Sequence, residues 1–376
     1  MAPRIAVVST YKPTNCGIAT FTQSLLNAMN GICRTPAKVV RLIESKSDEV
    51  ESGSEVICTI TEGNPLSMVN AANKINEMDV VLIQHEFGIY GGFDGDEVIT
   101  LIEKLVIPSI VVLHTVLSSP TPHQRAVLLK LCQRATAVVV MSQIAVNRLM
   151  AEPDVDSSKI FLFQHGARSI TTNPEQHHSE RPIILTWGLI SPGKGVEWVI
   201  KSMDFLRDIE PRPLYVVSGR THPKVLEHDG ERYRESLQKL IEDLDLAESV
   251  QLRPNFLENV ALDHLIAAST LVVLPYDNSE QVTSGVLMEA VSAGRPIVAT
   301  RFPHAVELLR QDVGILVPYR DPAALANAIR RIITAPELAA EMSHRTKAIA
   351  RNIQWPVVAQ QYLQLISNLA YERASA

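Results

Sequence analysis

The stretch Ile183-Ile184-Leu185-Thr186-Trp187-Gly188-Leu189-Ile190-Ser191-Pro192-Gly193-Lys194-Gly195-Val196 decides the fold. An apolar run over 183–188 ends in glycine and crosses a turn rich in Gly and Pro. A helical pattern then opens at Val196. Strand, tight turn and helix form half of a crossover unit, and the same rhythm extends in both directions. Towards the C-terminus the next strands are expected at 214–218, 250–252, 271–275, 296–299 and 314–317. Towards the N-terminus they are expected at 4–9, 38–42, 80–84, 109–113, 137–141 and 160–163, with helices between. Continuously apolar strands alternating with helices predict parallel sheets covered on both faces. The fold class is α/β, with two doubly wound domains in succession.

Length and composition agree with this. At 376 residues the chain is long enough for two domains. Apolar residues make up 46% and charged residues 20%, with 17 Gly and 22 Pro, which excludes disorder, collagen and small disulfide modules. The 35 basic against 41 acidic residues give a net charge of −6. A protein held to nucleic acid by phosphate neutralisation would carry the opposite balance, so no nucleic-acid partner is expected. Cys16, Cys33, Cys58 and Cys132 lack paired C-x-x-C spacing and read as reduced thiols. The apolar run 5–8 is too short for a signal peptide, and no stretch approaches the roughly 20 apolar residues of a membrane span. A cytoplasmic protein is expected.

Between the halves, Ser169, Thr171, Thr172, Asn173, Pro174, Gln176, His177, His178 and Ser179 form a polar stretch without hydrophobic period. The expected organisation is an N-terminal domain at 1–168, a linker at 169–181 and a C-terminal domain at 182–354. The tail after Asp321 is helical, with segments from Ala323 and Glu337 and a break at Trp355-Pro356. Ligands of open α/β sheets bind at the carboxyl ends of the strands, and two such domains side by side would share a cleft there.

The loops at those ends carry the candidate chemistry. Ser9-Thr10-Tyr11-Lys12-Pro13-Thr14-Asn15-Cys16-Gly17 leads into a helix bearing Leu25, Leu26 and Met29, whose first amides could hold a phosphate or a sugar hydroxyl. Gln84-His85-Glu86-Phe87-Gly88-Ile89-Tyr90-Gly91-Gly92 and His114-Thr115 end two neighbouring strands, and His165-Gly166 ends a third. In the second half, Gly193-Lys194-Gly195 sets a cation beside free helix amides, which suits a diphosphate. It is not a Walker loop, because G-K-[ST] is missing. Arg220 and His222 follow the next strand. The densest constellation is Tyr276-Asp277-Asn278-Ser279-Glu280-Gln281-Val282-Thr283-Ser284-Gly285-Val286-Leu287-Met288-Glu289, a polar loop and a helix start with a carboxylate one turn inside, able to grip a ribose diol. Three D-x-D strings, at 94–96, 154–156 and 243–245, stand in unrelated contexts and read as chance. His177-His178 has no helical i, i+4 partner for a metal.

Gly17, His114, His165-Gly166, Gly193-Lys194-Gly195, the run from Gln281 to Glu289 and the following Gly294 and Pro296 resemble the retaining nucleotide-sugar glycosyltransferases of family 4. The resemblance spans nearly the whole chain. It implies the GT-B architecture, two Rossmann-like domains facing a central cleft, with 355–376 a C-terminal helix crossing back to the N-terminal domain. It implies transfer of a hexose of mannose, glucose or N-acetylglucosamine type, with retention, from a GDP- or UDP-sugar co-substrate, without bound cofactor or metal. The acceptor is then a carbohydrate, lipid or small-metabolite hydroxyl. Carried over by position, Lys194 neutralises the donor diphosphate and Glu289 binds the ribose. Gly17, Gly193, Thr283, Ser284, Gly285, Val286 and Leu287 line the donor, and His114 lies near the sugar. Asn15, His85, Glu86 and Tyr90 fall on the acceptor side.

Two departures stand out. Gln281 replaces the first Glu of the family's Glu-x7-Glu motif, and Leu189 replaces the usual Arg, for which Arg220 is the expected substitute. They keep open a sugar phosphorylase or nucleotide-sugar 2-epimerase of the same architecture, or a non-catalytic nucleotide-sugar-binding subunit. Helix 121–134, with His123, Arg125, Lys130 and Arg134 beside Leu128, Leu129 and Leu131, also has the pattern of a weak peripheral contact with the cytosolic membrane face.

Overall fold

The computed structural model describes residues 2–45, 53–170, 179–254, 257–309 and 313–375. It divides into two compact units, Met1–Gly166 with Trp355–Ala376, and Ala167–Gln354. Of the stretch expected as a linker, 171–178, with the His177-His178 pair, lies outside the described residues.

In the first unit, β1 (Ile5–Ser9), β2 (Lys38–Ile43), β3 (Val56–Thr61), β4 (Val80–His85), β5 (Ser109–Leu113), β6 (Ala137–Val140) and β7 (Ile160–Leu162) form one sheet in the order β3-β2-β1-β4-β5-β6-β7. Every pairing is parallel. The alternation of strand side chains sends Ala6 and Val8 into one core and Ile5 and Val7 into the other, so all of β1 is apolar although its residues serve opposite faces. The first core is closed by α2 (Pro65–Ile75), α3 (Glu97–Glu103) and α4 (Pro122–Arg134). The second is closed by α1 (Gly17–Ile32) and the last helix of the chain. Strand β3 is missing from the sequence expectation. It is an edge strand, paired only to β2 across a register shift, and only Ile60 in it is buried. Its Cys58, Thr59 and Thr61 interrupt the apolar run and weaken the signal.

In the second unit, β8 (Ile183–Trp187), β9 (Leu214–Ser218), β10 (Val250–Arg253), β11 (Leu271–Leu274), β12 (Ile297–Thr300) and β13 (Gly314–Val317) are likewise all parallel, in the order β10-β9-β8-β11-β12-β13. Both sheets reverse their strand order beside the first strand, between β1 and β4 and between β8 and β11. There the loops on either side diverge and leave a crevice at the strand ends. These are two Rossmann-like domains of seven and six strands.

Helix α14 (Trp355–Ser375) belongs to the first unit, where it lies along α1. Its first residue anchors it. The Trp355 ring stands 5.0 Å from Phe21 and 5.7 Å from His165, and a Cβ on Gly166 would fall 2.2 Å from it. Glycine at 166 thus gives the indole its place. Trp355→Ala is expected to destabilise the first unit by about 3–5 kcal/mol, the range for deleting a buried aromatic. Urea unfolding should show an earlier transition, and an unaltered one would show the ring to be dispensable.

Candidate functional site

The switch point of the second sheet is built by two loops forced together. After β8, Gly188 (φ +113°), Gly193 (φ +85°) and Gly195 (φ +68°) take backbone conformations that side chains resist. Gly195 also begins α6 (Val196–Asp204), where a Cβ would lie 1.9 Å from the carbonyl oxygen of Pro275. The amide of Asp277 donates to the carbonyl of Gly193 at 2.8 Å, lacing this turn to the loop after β11. The lacing sets Lys194 over Tyr276, with Nζ 4.2 Å from the ring centroid. Tyr276 is itself buried and stacked on Phe302 at 4.9 Å. A ring face orients an ammonium without neutralising it, so the charge stays available to an anion.

Across the crevice, Ser284 caps α10 (Gly285–Ser292), its Oγ accepting from the Leu287 amide at 3.2 Å. The Met288 amide donates to the Ser284 carbonyl. The amides of Gly285 and Val286, at the first two helical positions, have no partner within the helix and carry the positive end of its dipole. A residue not singled out from sequence holds this loop in shape. His304, 1% exposed, accepts from the Ser284 amide at Nδ1 (2.9 Å), and its own amide donates to the carbonyl of Gln281 (3.2 Å). Gln281 turns its amide nitrogen onto the carbonyl of half-buried Thr283.

Glu289 lies one turn inside α10. Its Oε1 accepts from Nε of Arg168 at 3.1 Å and its Oε2 from the indole nitrogen of Trp187 at 3.1 Å. Arg168 reaches Asp263 as well, at 2.8 Å. Burial works against its charge, yet Glu289 and Asp263 together hold the guanidinium pKa above its ordinary value. Nothing in the local sequence marked Arg168, because its partners are more than 90 residues away. The carbonyl of Arg220 accepts from the amide of Ile190 at 2.9 Å, so Arg220 sits beside the turn that carries Leu189. Burial, with the charges of Lys194 and Lys224, lowers the pKa of His222.

In the first unit the candidate residues separate. Asn15 is exposed, and Gly17 opens α1 where a Cβ would meet nothing within 4 Å, so the fold itself does not require glycine there. His85 and Tyr90 point into the core, with rings 6.2 Å apart and nearly parallel, and Tyr90 donates to the carbonyl of Gln84. Glu86 is half-buried. It accepts from Thr115 Oγ1 and from the amide of Phe87, and burial raises its pKa. His114 Nε2 lies 2.7 Å from Gln84 Oε1, and the His114 ring meets the edge of Phe21 at 4.8 Å. Burial, reinforced by His165 and His85, pushes the His114 pKa down to about 3, and burial brings those of His85 and His165 down to about 4. All three imidazoles are neutral at pH 7.

Among the described residues no group of three or more His, Cys, Asp and Glu is arranged to hold a metal ion. Of the D-x-D strings, Asp94 and Asp96 pair with His123, and Asp156 caps a short turn at Ser158. No helix among the described residues is long and apolar enough to cross a membrane. On α4, Arg125 pairs with Glu152, and Lys130 and Arg134 share Glu103, all at the surface.

The glycine turn, the lysine and the capped helix with its internal carboxylate all fall in one span. Residues 168–349 match the family model Glycosyl transferases group 1. Over 175 residues the chain is 31% identical to D-inositol 3-phosphate glycosyltransferase of Streptomyces griseus, covering 46% of this chain and 36% of that one. It is also 31% identical over 166 residues to alpha-D-kanosaminyltransferase of Streptomyces kanamyceticus, covering 44% and 39%. The match thus spans little more than a third of each relative. Among solved structures, Anabaena Alr3699/HepE in complex with UDP and glucose superposes with a TM-score of 0.78 at 17% identity, covering 97% of this chain and 100% of that one. Sucrose-phosphate synthase from Thermosynechococcus elongatus gives 0.76 at 17% identity, with 100% of each chain covered. These likenesses show a shared fold, two Rossmann-like domains in succession.

The neutral histidines fix a pH dependence. Each titrates lower in the folded chain than near 6.5 in the unfolded one, so protonation favours unfolding. The first unit should keep constant stability above about pH 7 and lose it as pH falls from 6.5 towards 4, with each ring contributing up to about 1.4 kcal/mol per pH unit. Thermal unfolding of the wild type and of His114→Gln at pH 7.5 and 5.0 checks this. The variant should lose less, and equal losses would contradict the assignment.

Proposed function

We propose that the protein is a retaining glycosyltransferase that moves a hexose of mannose, glucose or N-acetylglucosamine type from a nucleoside-diphosphate sugar to a hydroxyl of a carbohydrate, lipid or small metabolite. One observation carries this. The loops after β8 and β11, laced to each other, carry an ammonium at Lys194 seated on Tyr276, two free helix amides at Gly285 and Val286, and an oriented carboxylate at Glu289, the set that a diphosphate and a ribose need. The match of 168–349 to the glycosyltransferase family and the superposition on a protein holding UDP and glucose support the same reading.

In the reaction proposed, the bond between the anomeric carbon and the phosphate oxygen breaks, and negative charge gathers on the leaving diphosphate. Lys194 and the α10 amides meet that charge as fixed dipoles in place of a metal ion. Arg220, beside the Leu189 turn, adds a second cation. The acceptor hydroxyl attacks from the face the phosphate leaves, and the departing phosphate oxygen takes its proton, so the configuration is retained. Gln281 replaces a carboxylate by an amide near the sugar, and His114 offers a neutral ring rather than a second positive charge. Asn15 and Glu86, still at the surface of the first unit, are the acceptor-side candidates.

Lys194→Ala should lower kcat by about 10²–10³-fold, the usual cost of removing one preorganised group from a developing charge. Glu289→Ala should act mainly through a higher donor KM. Steady-state turnover of UDP-, GDP- and ADP-hexoses by the wild type and both variants measures these effects. Unchanged kinetics in the two variants would overturn the site.

A further inference from the structure

We propose that Arg168 is a positioning residue for the nucleotide, acting through Glu289, with Trp187 as the second donor that fixes the same carboxylate. This rests on the donor site proposed above and adds to it the pair of side chains that make Glu289 competent.

Arg168 leaves the backbone from a pinned point. The amide of Ala167 donates to the carbonyl of Ile353 at 2.7 Å, and Ser292 Oγ donates to the carbonyl of Arg168. The guanidinium then forks, Nε to Glu289 and Nη1 to Asp263, so it is held at two ends and cannot swing. All three side chains are mostly covered, with 19% of Arg168, 26% of Asp263 and 22% of Glu289 exposed. Guanidinium and indole nitrogens only donate, so the direction of both hydrogen bonds to Glu289 is settled by chemistry. One donor on each oxygen locks the plane of the carboxylate. It leaves each oxygen a further lone pair, the arrangement that accepts from two vicinal hydroxyls.

The pairing also answers an electrostatic difficulty. An uncompensated carboxylate near a bound diphosphate would repel it, the more strongly in a partly covered crevice. Arg168, shared with Asp263, offsets part of that charge while leaving the lone pairs in place. Lysine would restore the charge but not the two-ended fork.

The test is a double-mutant cycle read by calorimetry with UDP, GDP and ADP, using Arg168→Met, Glu289→Gln and the double variant. Arg168→Met should weaken the preferred nucleotide about tenfold to a hundredfold. In the Glu289→Gln background the same change should have little effect. Arg168→Lys should recover only part of the loss. Trp187→Phe gives a second, independent cycle with Glu289→Gln and should show the same loss of effect, whether or not Arg168→Met folds. Additive effects in either cycle, or full rescue by lysine, would overturn the positioning role even if the wild type binds nucleotide tightly. A wild type that binds none of the three would overturn the donor site itself, and this inference with it.

Discussion

A single close approach organises the second unit. Gly195 stands so near the carbonyl of Pro275 that one methyl group would overlap it, and its left-handed backbone is a second demand that glycine meets. From it follow the lacing of Asp277 to Gly193, the seat of Lys194 on Tyr276, and the packing of Tyr276 against Phe302. A similar contact lies one strand over. A Cβ on Gly219 would fall 1.8 Å from the carbonyl of Gly188, which keeps Arg220 against the same turn. The polar loops are therefore held by backbone fit, while the strands beneath them are mostly apolar and reach the site only through Trp187 at the end of β8.

Charge is placed with the same economy. The chain carries a net charge of −6, yet at the strand ends of the second unit positive charge is oriented and left open. The negative group there, Glu289, is paired with Arg168, which it shares with Asp263. In the first unit the imidazoles at the ends of β4 and β5 are buried and neutral, so that domain presents shape and hydrogen bonds where the other presents a field.

The sheets were legible in the sequence because a strand buried on both faces is a continuous apolar run whose ends are marked by Gly, Pro and polar residues. Ser109–Leu113, Leu214–Ser218 and Leu271–Leu274 lie where those runs predict them. Val56–Thr61 was not legible, since Cys58, Thr59 and Thr61 interrupt its apolar run and only Ile60 is buried. Motif glycines and Lys194 were readable because their chemistry is local to one turn. Arg168, Trp187 and His304 were not, because each acts through a side chain or loop that the fold brings from far along the chain. His85 and Tyr90 show the converse limit. Polar residues at or beyond a strand end look accessible in sequence, whereas His85 is buried on its strand and the following loop folds Tyr90 back onto the carbonyl of Gln84.

The central claim is that the second unit receives a nucleoside diphosphate at the meeting of the 193–195 turn and the start of α10. A crystal structure of the protein with its preferred nucleoside diphosphate tests it most directly. The account predicts the diphosphate within hydrogen-bond distance of Lys194 Nζ and the amides of Gly285 and Val286, with the ribose hydroxyls on Glu289. A nucleotide bound elsewhere on the second unit, with Lys194 still seated on Tyr276 and Glu289 touching only Arg168 and Trp187, would contradict it.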